Sequence, residues 1–176
     1  MPPTDETNAL TSDRRPWNLS NCQRKRLPIE DAQDLPILGG VLSLWRAKLP
    51  EGGFPAKSDL DPTEMQADAL PNIILMDVQE EPRRYRYRLT GTAIDRIQNR
   101  NLTGTYVDEN RPEELRRILL HDLDDLVETG APHLVELSFL NAEGYSRRMR
   151  ILRLPLSGDQ TPLDRVAHVL LVFDFH

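Results

Sequence analysis

From Leu38 onward the chain carries a helical stripe: Leu38, Val41, Leu42, Trp45 and Leu49 recur at the three- and four-residue spacing that places them on one face. Gly39 and Gly40 weaken its first turn, and Pro50 with Gly52 and Gly53 ends it. Asp61-Pro62-Thr63-Glu64 has the form of a second helix start, with Asp61 as N-cap and Pro62 at the first helical position. The short apolar run at 72–78 predicts a buried strand. The next segment alternates, with Tyr85, Tyr87 and Leu89 on one face and Arg84, Arg86 and Arg88 on the other, which predicts a strand with one partly polar face. Gly91 breaks it, and a short helix carrying Ile94 and Ile97 follows.

Asn110 and Pro112 introduce the longest helical pattern, which runs to Thr129 and stops at Gly130. Three strand-like stretches at 133–140, 145–156 and 165–175, joined by short polar loops, predict an antiparallel meander. The last of them is apolar at both parities, as a central strand covered on both faces would be. The helices after Gly91 can cover one face. The helix at Leu38, with a second subunit sharing the task, is expected to cover the other.

Ahead of these elements, residues 1–35 are polar, proline-interrupted and without a hydrophobic period, so they are expected to form a disordered tail, with 36–176 as a single domain. The basic cluster Arg24, Lys25, Arg26 in that tail reads either as a solvated linker or as a dock for an acidic partner. A chain of 176 residues supports one well-buried core. Its net charge of −6 argues against nucleic acid and anionic membranes as partners. Cys22 is the single cysteine, which excludes a disulfide or a cysteine zinc site within one chain and fits a reducing cytoplasm. No apolar run reaches the roughly 18 to 20 residues that cross a bilayer, and the first fifteen residues lack the apolar segment of a secretory signal. The expected location is cytoplasmic.

Strand, strand, short helices, long helix and three-stranded meander is an order that resembles the PAS fold. The local sequence is similar too. Tyr85-Arg86-Tyr87-Arg88-Leu89-Thr90-Gly91-Thr92-Ala93-Ile94, with Leu102-Thr103-Gly104 about ten residues later, resembles short stand-alone bacterial PAS proteins that carry an Arg-Leu-x-Gly-Thr segment. Leu44-Trp45-Arg46, Pro55 and Asp59-Leu60-Asp61-Pro62 resemble them as well. The resemblance implies an α+β fold: a five-stranded antiparallel sheet in the order 2-1-5-4-3, helices on one face, and here an extra N-terminal helix. It also implies a sensory module that binds a small molecule between sheet and helices, or one that dimerises as an adaptor, and that signals through a separate protein partner.

Chemical candidates are few. His121, Asp124 and Asp125 have metal-ligand spacing, but projection at 100° per residue turns His121 away from the apolar arc of its helix, so haem and metal ligation are disfavoured. Flavin is disfavoured too, and the cofactor is left unassigned. Asp122 falls inside the apolar arc, either as an edge carboxylate paired with an arginine from the sheet or as a polar group in a pocket. Candidate pocket residues are Tyr87, Leu89, Ile94, Ile97, Tyr106, Leu119, Leu123, Leu171 and Phe173, with Arg88 as a polar anchor for the helix after Gly91 or for an acidic ligand. There is no nucleophile elbow, phosphate loop, dinucleotide fingerprint or His-Glu-x-x-His pair, so no catalytic residue is assigned and an enzyme is not expected. A small enzyme of helix-over-sheet type stays open as a third reading, and it needs ionisable groups converging in one cleft.

Overall fold

The computed structural model describes residues 20–140 and 144–175. Six antiparallel strands form one sheet: β1 (Ser20–Leu27), β2 (Ile73–Gln79), β3 (Arg84–Thr90), β4 (His133–Leu140), β5 (Ser146–Leu156) and β6 (His168–Phe175), in the spatial order β1-β4-β5-β6-β2-β3. Five of them reproduce the expected order. The sixth, β1, comes from the segment expected to be a disordered tail, and it pairs with β4 from Arg24 opposite Leu137 to Leu27 opposite Leu134. Two causes offset its polar composition: the open edge of β4 supplies backbone partners, and its arginines find carboxylates on the helix above. The last part of the expected tail is also ordered, as the 3-10 helix Ile29–Asp34 with Ala32 buried under the helix that follows it, and residues 1–19 lie outside the described residues.

Helices sit on both faces. α2 (Thr92–Gln98) and α3 (Glu113–Thr129) cover the inner face, where Leu123 and Leu126 join a core with Met76, Tyr85, Ile151 and Leu171. α3 stops because Gly130 adopts a left-handed φ of +67°, and a Cβ there would also strike the ring of Phe54. α1 (Pro36–Ala47) covers the outer face, packing Leu38, Val41, Leu42 and Trp45 on Leu152, Leu154, Leu170 and Val172. It begins two residues before the predicted stripe because Pro36 suits the first helical turn. The tetrad at Asp61 makes a single 3-10 turn, Pro62–Glu64, capped by Asp61 accepting from the Thr63 amide at 2.8 Å. The apolar parity of β6 on both sides is thus met within one chain. The indole of Trp45 also donates to the Pro155 carbonyl at 2.9 Å. Trp45→Ala removes that anchor and leaves a cavity, so chemical denaturation should show a loss of about 3–5 kcal/mol.

A bulge corrects one parity. Leu75 pairs with Leu89 but Met76 pairs with Tyr87, so Arg88 is an extra residue in β3 and everything beyond it changes face. Tyr85 and Tyr87 point into the core, while Leu89 stands on the outer side, 46% exposed. Beyond the bulge, the Gly91 amide donates to the Ile73 carbonyl at 2.8 Å, and a Cβ at Gly91 would land on the Pro71 carbonyl oxygen. Backbone against backbone cannot yield there, so Gly91→Ala should lower the thermal midpoint by several degrees.

Candidate functional site

Between the inner face of the sheet and the two helices lies a cavity of about 50 Å³. Its walls follow from strand alternation and helix spacing. Ile74 and Met76 from β2, Ile151 from β5 and Leu171 and Phe173 from β6 form the sheet side, and Ile94, Leu115, Ile118 and Leu119 form the helix side. Polar groups enter from one end. The end of α2 brings Gln98, and the segment that links the two helices brings Arg100, Asn110 and Arg111, of which Asn110 is buried and the two arginines are exposed. The cavity therefore reaches the surface between α2 and α3. Asn110 follows the 3-10 turn Val107–Glu109, and its amide donates to the Tyr87 hydroxyl at 2.5 Å. Burial is the main cause that pushes the Tyr87 hydroxyl up to about 12, so the group stays protonated and is itself a donor.

The far wall carries charge. Arg153 of β5 is buried and donates to Asp122 of α3 at 2.8 Å, and Arg24 of β1 donates to the same Asp122 oxygen at 3.0 Å while its other nitrogen closes on the second oxygen. Burial opposes ionisation of Asp122, yet the two guanidinium groups hold its carboxyl below the usual carboxylate range. Burial likewise lowers Arg153, against the pull of Asp122. The Nε of Arg153 has no hydrogen-bond acceptor among the described residues. Beside this cluster His133 of β4 is fully buried, 3.0 Å from a carboxylate oxygen of Asp125. Burial and the positive charges of Arg26 and Arg153 depress its pKa to about 4, so it is neutral at pH 7.

The sequence-derived candidates divide. Tyr87, Ile94, Leu119, Leu171 and Phe173 line the cavity. Ile97 packs on the inner core beside it, and Leu123 is buried deeper in that core. Leu89 is turned outward by the bulge. Tyr106 lies on the edge of the sheet, with the Arg84 guanidinium 3.7 Å above its ring. Arg88 is exposed and reaches Asp77 on β2 at 3.4 Å, so it anchors neither α2 nor the cavity. Asp122 is paired with the sheet arginine Arg153 but is fully buried rather than at the edge of the apolar arc. Arg100, Asn110 and Arg111 were missed because they belong to a connection without periodicity; proximity to the capping Pro112 was the only signal.

His121 is exposed, and no group of His, Cys, Asp and Glu side chains able to hold a metal ion occurs among the described residues. Among the described residues no helix is long and apolar enough to cross a membrane. A second cavity, of about 230 Å³, lies near the end of β1 between Leu27, Asp31, Asp34 and Arg150, away from the space between sheet and inner helices.

Among the solved structures similar to the chain are three of light-oxygen-voltage proteins. A light-oxygen-voltage domain studied with a flavin analogue is 13% identical, with 60% of this chain and 77% of that one covered at a TM-score of 0.44. A variant of RsLOV is 13% identical over 61% of each chain at a TM-score of 0.43. The LOV protein of Rhodobacter sphaeroides is 16% identical, with 61% of this chain and 60% of that one covered at a TM-score of 0.42. No curated protein sequence matches. The PAS domain family, in contrast, matches residues 38–171, a span that begins in α1, takes in both helices over the cavity and ends in β6. The chain belongs to the PAS domain family.

Proposed function

We propose that this PAS domain is a cytoplasmic sensory module that binds a small molecule between its sheet and α2/α3, and relays occupancy through contacts with a separate output protein, acting as a homodimer. The observation that carries this reading is the cavity itself. An apolar chamber in the middle of a packed core, reached between two helices and bordered by a few polar groups, is the usual form of a ligand site. Its size limits the ligand. At about 50 Å³ it falls well short of the roughly 300 Å³ at which drug-sized ligands are held, so neither haem nor flavin fits the residues present. Relay would run through α3, whose inner face touches the cavity and whose Asp122, Asp124 and Asp125 reach β5, β3 and β1.

Native mass spectrometry of freshly purified full-length chain tests this. A small retained mass is expected under native conditions, lost on denaturation and absent from Leu119→Trp, in which the indole fills the chamber. Identical native masses for wild type and variant, after both are corrected for sequence, would contradict ligand binding. The alternative, a dimerising adaptor without ligand, draws on the outer edge of β1, which has no strand partner among the described residues, although Arg24, Lys25 and Arg26 along it are of the kind that blunts strand addition. Sedimentation of a strictly monomeric chain would count against the dimer in either reading.

A further inference from the structure

We infer that the ligand is a short-chain organic anion, with its carboxylate held at the mouth between Arg100 and Arg111 and its apolar body directed inward; this rests on the ligand-binding reading above. Each polar side chain on the cavity wall carries at least one hydrogen-bond donor, and among the described residues no Asp or Glu lines it. Three of them are arginines. Arg100 and Arg111 form no ion pair with a carboxylate among the described residues, unlike the neighbouring Arg84 and Arg116, which are held by Asp108 and Glu113. The nearby acids are engaged as well, with Asp95 accepting from Thr90 and Asn101.

The mouth therefore carries uncompensated positive charge beside an apolar chamber. The Tyr87 hydroxyl, already accepting from Asn110, has its own proton left to give. On the inner wall Asp122 is shared by Arg24 and Arg153, two cations for one anion, and the Arg153 Nε is buried without an acceptor. A cationic ligand would meet like charge at both ends, and a neutral amide would offer the guanidinium groups an acceptor but no countercharge. A carboxylate matches the planar fork of arginine and needs no proton from the site. The volume of about 50 Å³ admits a body of roughly three to five heavy atoms, taking about one water-sized sphere per 10–15 Å³.

Calorimetric titration of the full chain with sodium butyrate, butyramide and butylammonium chloride, at matched ionic strength, separates the possibilities. Butyrate is expected to bind at least ten-fold tighter than the other two, and to weaken at least ten-fold in Arg100→Gln/Arg111→Gln and on raising salt. Both arginines are exposed, so the double variant is expected to fold, which circular dichroism checks. Equal binding of butyramide or butylammonium, or butyrate binding untouched by the double substitution, overturns the anion assignment and leaves the ligand reading standing. Binding of none of the three, together with no retained mass in native spectrometry, overturns the ligand reading itself.

Discussion

Asp122→Ala is expected to cost about 3–5 kcal/mol, measured by urea unfolding followed by circular dichroism. The carboxylate is fully buried and is the sole ion-pair partner of Arg153 among the described residues, and Arg153 is itself only 1% exposed. Removing it strands a guanidinium inside the core with its desolvation uncompensated. Arg24 makes the situation worse, since it brings a second positive charge to the same point. The loss therefore measures an orphaned charge rather than the net worth of the ion pair. Asp122→Leu combined with Arg153→Met removes both members and should recover most of the loss. A single-variant cost below about 1 kcal/mol would show that Arg153 escapes to water and that the cluster is not closed.

The second large effect is acid sensitivity. His133 has its pKa lowered from 6.5 to about 4 by burial first and by Arg26 and Arg153 next, with Asp125 and Asp122 opposing. The unfolded chain then binds a proton that the folded chain refuses. The contribution is fully present above pH 6.5 and is lost progressively as pH falls from 6.5 to about 4, at roughly 1.4 kcal/mol per pH unit and about 3 kcal/mol in all. His168 shifts in the same direction, since its burial outweighs the pull of Asp77, and it adds to the same window. Asp122 works lower: its depressed pKa gives stability that is present above the ordinary carboxylate range and lost below it. Unfolding free energy measured between pH 7 and 4 should fall steeply in the native chain and visibly less in His133→Leu. Parallel curves for the two would refute a buried neutral histidine.

The elements that sequence reveals best are those whose pattern is local. The helical pattern of α3 with its glycine stop, the strand-like stretches of β4 and β5, and the doubly apolar β6 all depend on residues within one segment. What escaped depends on partners far along the chain. β1 reads as linker because three of its eight residues are basic, and their counter-ions on α3 lie nearly a hundred residues away. Strict alternation puts Leu89 on the same face as Tyr87 and among the pocket candidates because it cannot anticipate the extra Arg88. In the cavity, the wall supplied by strand and helix was legible through Tyr87, Ile94, Leu119, Leu171 and Phe173. Its polar mouth was not, because Arg100 and Arg111 sit in a connection whose path is set by tertiary packing rather than by period.

The site assignment is most directly tested by methyl NMR of the isoleucine and leucine side chains during titration with butyrate and, separately, butyramide. Ile94, Ile118 and Leu119 above the cavity and Ile151 below it should shift together, while Leu38 and Leu42 of α1, on the other face of the sheet, stay still. Shifts confined to the α1 layer, or no shift at any of the four cavity residues with either probe, would contradict a ligand site between the sheet and its inner helices.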